Sequence, residues 1–323
     1  MAEDANRVVI IGSGPTAIGA AIRLYELIHQ GEVDAEVMIL EAADRVGGLA
    51  SSVTSPRGFT WDLGVHVTGQ SKYHEFLSTI DAAVGEWNYI PRCVQASMRH
   101  VFGATRDVRD CYVPYPVQDS IAHFPPSIRE QCQKEMDELA NNNSSNGALS
   151  PSANFNEFAL KTFGETLTRL FIRPYNEKVW TVALSAMDSC WVEGRVPKPR
   201  IKEEGDEAAK QPTVVFRYPR KLRGVGALWE KVIALANGFL LPYDTIISTM
   251  PLDELGRLSG LAPSLPLSHS KVLLVGIGLR VPQPPHTETL SWLYFPQHDT
   301  IFYRVTFVSN FNECLTPNAA LFW

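Results

Sequence analysis

The hydrophobic positions of this chain keep two rhythms. Arg7-Val8-Val9-Ile10-Ile11 is a short continuous apolar run, which predicts a buried strand. Gly12-Ser13-Gly14 follows at once, and apolar residues then recur at helical spacing from Ala20 to Ile28. A second apolar run, Val37-Met38-Ile39-Leu40, ends in Glu41. Helical patterns return at Tyr73 to Ile80, Ile128 to Leu139 and Phe155 to Val182. The polar stretch Asn141 to Asn154 predicts a loop, and the charged stretch Lys198 to Pro212 predicts a mobile segment. Beyond it Thr213 to Tyr218 alternates like a strand, Gly224 to Leu235 predicts a helix and Thr245 to Thr249 a strand. Lys271 to Arg280, Leu290 to Phe295 and Ile301 to Val308 predict three further strands of one sheet. No segment repeats another.

The first of these patterns carries chemistry. A pyrophosphate needs backbone N–H donors and the positive end of a helix dipole. Gly12 permits a tight turn out of the first strand, and Gly14, without a Cβ, lets the backbone approach phosphate. Pro15 and Thr16 open the helix, and Ala17 stands where a small residue lets helix and strand pack closely. Glu41, at the end of the next strand, is placed to accept hydrogen bonds from ribose hydroxyls. A lone G-x-G-x-x-A is weak; the strand before it, the helix after it and the acid on the next strand make it a dinucleotide signature.

Composition narrows the classes. The 323 residues suffice for two or three small domains, with 45% hydrophobic and 20% charged residues. The net charge of −6, with no cluster of Lys and Arg, argues against nucleic acid as a partner. No apolar run approaches the roughly 18–20 residues that a membrane span needs. Met1-Ala2-Glu3-Asp4 is unlike a signal peptide, and the five cysteines are odd in number with no metal spacing. Reduced thiols and a cytoplasmic location are the expectation.

A second glycine loop, Arg45-Val46-Gly47-Gly48-Leu49-Ala50-Ser51, follows Glu41. This stretch resembles the amine-oxidase-like branch of the FAD-binding glutathione-reductase superfamily. The resemblance implies that Gly47, Gly48, Leu49, Ala50 and Ser51 lie along the FAD diphosphate. Four further blocks sharpen it: Asp62-Leu63-Gly64-Val65-His66-Val67, Val113-Pro114-Tyr115-Pro116-Val117-Gln118, Phe171-Ile172-Arg173-Pro174-Tyr175-Asn176-Glu177-Lys178-Val179-Trp180, and Trp292-Leu293-Tyr294-Phe295-Pro296 with Phe302-Tyr303-Arg304-Val305-Thr306. Together they resemble UDP-galactopyranose mutase, in particular the eukaryotic (fungal) form, from about residue 7 to residue 323.

That resemblance implies an isomerase that interconverts UDP-galactopyranose and UDP-galactofuranose through a sugar adduct on N5 of reduced flavin. FAD is the implied cofactor, reduced by NADPH or a similar donor. Gly64 and Val65 would lie beside the flavin, and His66 would face it near N5. Arg173 and Arg304 would hold the UDP phosphates, as bidentate cations can. Tyr115 and Gln118 would serve the uracil; Asn176, Trp292, Tyr294 and Phe311 would line the rest of the substrate site. Residues Val196 to Pro212 match the family's mobile flap.

The residues alone leave other readings open. Trp292 and Tyr294, two apart on a strand, fit aromatic core packing equally well. Arg173 follows an apolar run and fits a helix C-terminal cap, and His66 fits a buried core histidine. The chain also departs from the family. Val65 stands where the family has glycine, and Phe311 where it has tyrosine. Only Ala236 to Asp244 stand where the family inserts a hairpin, and the chain stops at Trp323, so it is expected to be shortened at its C-terminus. An FAD-dependent oxidoreductase or isomerase acting on another small molecule, or a shortened non-catalytic homologue, are therefore the alternatives. The expected fold is α/β: a Rossmann-like FAD domain (1–75 and 221–265), a mainly helical insert (76–212), and a mixed β-sheet substrate domain (213–220 and 266–323).

Overall fold

The structure, a computed structural model, describes residues 6–64, 67–69, 71–103, 107–146, 152–192, 196, 215–233, 244–262 and 264–323. It begins with strand β1 (Asn6–Ile11), helix α1 (Pro15–His29) and strand β2 (Ala35–Leu40). Strands β3 (Ser52–Thr54) and β4 (Thr60–Asp62), helix α2 (His74–Val84) and strands β5 (Trp87–Pro91) and β6 (Val94–Ser97) follow. Next come α3 (Arg99–Phe102), β7 (Tyr112–Pro114), α4 (Pro126–Asn146), α5 (Phe155–Leu167) and, after a π turn over Thr168–Ile172, α6 (Arg173–Trp180). The chain continues with β8 (Val215–Pro219), α7 (Gly226–Ile233), β9 (Thr245–Ser248), α8 (Leu252–Ser259), β10 (Trp292–Tyr294) and β11 (Arg304–Thr306).

These elements form two compact units. The first comprises Met1–Pro91, Val215–Pro284 and Val308–Trp323; the second comprises Arg92–Val214 and Pro285–Phe307.

In the first unit β1 is central in a parallel sheet of order β2-β1-β9. Val8, Val9 and Ile10 are buried between their neighbours, as the continuous apolar run requires. Ala17, Ile18 and Ala21 bury one face of α1, and Ala17 and Ala21 form a small core with Ile10. This is a βαβ unit with a third parallel strand, β9, arriving late in the sequence. Among the described residues the unit also holds the hairpin β3–β4 and the antiparallel pair β5–β8.

The second unit is built on a four-stranded sheet of order β11-β10-β6-β7, in which β10 and β6 run parallel and the other pairs antiparallel. Ala96, Met98 and Val113 from the sheet pack with Phe155, Phe163, Leu167 and Phe171 in one core.

Several expectations change here. The pattern over 155–182 is not one helix. Gly164 has φ +79 and ψ 171, and the N–H of Thr166 donates to Glu135 Oε2 at 2.7 Å instead of continuing the ladder. Arg173 does not end a helix; it is the first residue of α6. Helix α4 runs on to Asn146, past the start of the expected loop. Strands β5, β6 and β7 lie within a stretch that reads as helical. Lys271 to Arg280 is extended but belongs to no sheet: Leu273 and Val275 are 93% and 80% exposed. Among the described residues this run pairs only at its end, where Leu279 and Trp323 exchange backbone hydrogen bonds and Val281 bonds to Leu321.

Candidate functional site

Two sets of side chains stand out, one in each unit. In the first unit, Gly12 leaves β1 at φ +101, and its N–H donates to the carbonyl of Leu40 at 2.7 Å. A Cβ there would strike Thr249 Oγ1, which donates to Ile11 O at 2.9 Å. Gly14 is the N-cap of α1, with Pro15 at the start of the helix and Thr16 after it. Neither a capping side chain nor an acidic residue in the first turn serves the N–H groups of this fifteen-residue helix. A Cβ on Gly14 would meet nothing within 4 Å, so the backbone is open at this point.

The second glycine loop lies against the first. Gly47, at φ +98, donates its N–H to Ser13 O at 2.8 Å. Gly48 begins a short 3-10 turn at φ +53, where a Cβ would stand 3.4 Å from Gly14 Cα. Leu49 is 82% exposed, while Ala50 and Ser51 are buried. The carbonyl of Ser51 accepts from Leu63 N–H at 2.9 Å, and Gly64 turns at φ +107. Val65 and His66 fall outside the described residues, as does nearly all of the 196–212 stretch.

Glu41 is at the end of β2 as expected, and its partners show a further role. Its Oε2 accepts from Ser13 N–H at 2.8 Å and from Ser13 Oγ at 2.6 Å, and its Oε1 accepts from Ala43 N–H at 2.9 Å. Burial opposes ionisation of this carboxyl, but the hydrogen bonds from Ser13 and Ala43 outweigh it and hold the group below its ordinary value. The acid on the second strand therefore fixes the first glycine loop, a link that sequence spacing does not disclose. An open helix N-terminus, glycines at the closest approach and a second glycine loop beside them together form a cradle that fits the diphosphate of a dinucleotide.

In the second unit, Tyr294 of β10 gathers an aromatic cluster. Its ring lies 4.8 Å from Tyr115, edge on, and 5.2 Å from Tyr175. Tyr175 stacks on Phe171 at 5.3 Å and 10°. The Arg92 guanidinium lies over Tyr115, 5.4 Å from its centroid, and Arg304 faces Tyr294 across the β10–β11 ladder. Burial raises the Tyr115 phenol to about 12 and pushes Tyr175 well above its ordinary value; burial also raises Tyr294, against Arg304 and Arg92, which pull it down. All three phenols stay protonated at neutral pH. Two guanidinium groups and three O–H donors thus share one cluster, a donor set that suits an anionic, hydroxyl-rich ligand with an aromatic part.

The other assigned residues divide. Trp292 (6% exposed) and Gln118 (4%) are buried. Arg173 donates from Nη2 to Asn156 Oδ1 at 3.1 Å, and Asn176 donates to Ile172 O at 2.7 Å. Phe311 lies in the first unit, where it is buried and packs 5.9 Å from Tyr218. Arg92 and Tyr175 are cluster members not assigned from sequence. Lys178 is another missed residue; its Nζ donates to Phe295 O at 3.0 Å and Gln297 O at 2.6 Å, just past Tyr294. Only the proximity of Tyr175 and Lys178 to Arg173 in one block could have pointed to them.

Residues 10–82 match the family described as NAD(P)-binding Rossmann-like domain. Among solved structures, reduced UDP-galactopyranose mutase superposes with a TM-score of 0.77 at 29% identity, over 98% of this chain and 72% of the mutase. The fold is that of a flavoprotein. Remoter likenesses, at TM-scores of 0.43 and 0.39, are a fatty acid isomerase from P. acnes (15% identity; 79% of this chain, 61% of that one) and cyclohexylamine oxidase from Brevibacterium oxydans IH-35A (16%; 77% and 52%). The fold of this chain combines the Rossmann-like domain with mixed α/β sheets. Among the described residues no helix is long and apolar enough to cross a membrane.

Proposed function

We propose that this chain is a flavin-dependent isomerase of the UDP-galactopyranose mutase kind, of the eukaryotic (fungal) type, acting on UDP-galactopyranose or a close nucleotide sugar. The observation that carries the reading is the cluster of Tyr115, Tyr175, Tyr294, Arg92 and Arg304, drawn from four distant segments of the sequence. In this reading the cytoplasm is the location, a UDP-sugar the partner, and neither nucleic acid nor membrane takes part.

The residues of the first unit would hold FAD: Gly12, Gly14, Pro15 and Thr16 on one side, Gly47 to Ser51 on the other, with Glu41 and Gly64 at the edges. When bound and reduced, by NADPH or a similar donor, the flavin supplies a nucleophilic centre for the anomeric carbon. This chain's own contribution is position and charge. Arg304 and Arg92 offset the charge of the diphosphate, both while it is bonded to the sugar and after the bond breaks. Keeping the departed UDP close makes its return fast. The phenols of Tyr115, Tyr175 and Tyr294 donate hydrogen bonds and present aromatic faces to the base and sugar. Arg173 spends one of its N–H donors on Asn156 and would offer the others to the phosphates.

One observation favours a second reading, an FAD-dependent oxidoreductase or isomerase on another small molecule. Arg173, the first expected phosphate ligand, is held by Asn156. The visible spectrum of the purified chain, then incubation with dithionite and UDP-galactose, separates the two. A yellow protein that forms the furanose sugar supports the mutase. A yellow protein without that product supports the second reading, and a colourless protein that takes up no FAD overturns both.

A further inference from the structure

We infer that Asp62 is a positioning residue, whose buried carboxylate holds the Gly47–Ser51 loop, the Gly64 turn and the start of α7 in one arrangement. The inference rests on the reading that these loops carry flavin.

Asp62 is the last residue of β4, only 7% exposed, and stands opposite Ser52 in the β3–β4 register. Three donors converge on its carboxylate. Ser52 Oγ donates to Oδ1 at 2.6 Å, Val225 N–H donates to Oδ1 at 2.9 Å, and the Tyr218 phenol donates to Oδ2 at 2.6 Å. Ser52 Oγ in turn accepts from Gly226 N–H at 2.8 Å. Carboxylate and hydroxyl together take N–H groups at the first turn of α7, so they cap that helix from another strand.

The approach is possible only because two glycines allow it. Gly224 sits at φ +88, where a Cβ would collide with Ser52 Oγ and lie 2.8 Å from Asp62 Oδ1; a Cβ on Gly226 would lie 2.5 Å from Ser52 N. On the cofactor side, Ser52 follows Ser51, the end of the second glycine loop. Asp62 precedes Leu63, whose N–H bonds to Ser51 O at 2.9 Å, and then the Gly64 turn. One buried charge therefore reaches both loops through adjacent residues. Burial, and then the charge of Asp62, raises the Tyr218 phenol, so this donor keeps its proton. Asparagine at 62 keeps an oxygen for Ser52 and Val225, but it turns an NH₂ toward the Tyr218 phenol, which must then accept instead of donate, and it removes the negative charge at the start of α7.

The test uses the full chain with Asp62→Asn, Ser52→Ala and Tyr218→Phe. FAD affinity is titrated on the apoprotein by fluorescence quenching, and amide hydrogen exchange is followed without FAD. Asp62→Asn and Ser52→Ala are expected to weaken FAD at least tenfold and Tyr218→Phe by less. Exchange is expected to rise at least tenfold over residues 47–64, with β1 and β2 unchanged. Wild-type FAD affinity in Asp62→Asn overturns the proposal. So does equal acceleration of β1 and the loops, which marks a merely structural residue. If the wild type takes up no FAD, the flavin reading fails, and exchange alone decides: a selective rise supports the positioning role and a uniform one overturns it. If Asp62→Asn does not fold, Ser52→Ala and Tyr218→Phe carry both readouts.

Discussion

The backbone N–H of Gly47 donates to the carbonyl of Ser13 at 2.8 Å, so the two glycine loops of the first unit are joined main chain to main chain. Ser13 is held from its other side by Glu41. Both glycine loops are therefore fixed by the chain's own hydrogen bonds, and a cradle held in this way costs less to order on binding.

Gly12→Ala places a side chain at φ +101 and against Thr249 Oγ1. The left-handed backbone alone costs about 1–2 kcal/mol, and displacement of the hydroxyl adds to it. Denaturant unfolding should show a loss of about 2 kcal/mol or more. Adding Thr249→Ala should restore the part owed to the collision and leave the backbone part.

Glu135 carries a pH prediction. Burial raises its carboxyl, but hydrogen bonds from Gln131 and from Thr166 N–H and Oγ outweigh this and leave it below its ordinary 4.5. The unfolded chain therefore binds this proton more readily than the native one. The contribution is complete above pH 4.5 and is lost as the pH falls through 4.5 toward the native value. Stability measured between pH 6 and pH 3 should fall less steeply in Glu135→Gln. Equal slopes would deny the linkage.

Gly276 brings the extended 271–280 run over Trp61, where a Cβ would come within 2.5 Å of the ring, and Gly278 does the same over Phe59. Gly276→Val should lift the run from these rings. Limited proteolysis between Lys271 and Arg280 should speed up, and Trp61 fluorescence should shift to the red. Unchanged cleavage would show that the contact does not hold the segment.

Arg304→Ala removes the guanidinium that faces Tyr294. A charged hydrogen bond of about 1.5–3 kcal/mol corresponds to a loss of roughly ten- to a hundredfold in UDP affinity. Calorimetry with UDP measures this without flavin chemistry. Tyr175→Phe keeps the ring stacked on Phe171 and should cost less than tenfold. UDP affinity unaffected by Arg304→Ala would remove the nucleotide from this cluster.

Some of this was legible in the sequence and some was not, for reasons visible in particular residues. The βαβ unit was legible because Val8 to Ile10 form a continuous apolar run and Ala17, Ile18 and Ala21 recur on one helix face, and these residues are buried as local pattern requires. The break at Gly164 was not, because Glu135, thirty-one positions from Thr166, takes the N–H that would have continued the helix. The exposure of 271–280 was not, because an apolar alternation states what a strand would bury and not whether partners are beside it.

By itself, then, the sequence determined the first glycine loop, its strands and its helix, since each depends on neighbours a few residues away. The tertiary structure alone decided that Glu41 anchors Ser13, that Arg92 and Tyr175 join Tyr115 and Tyr294, that Phe311 packs against Tyr218, and that Asp62 caps a helix from another strand. Those are long-range pairings. Side-chain periodicity fixes which face a residue shows, whereas packing of distant segments fixes what that face meets.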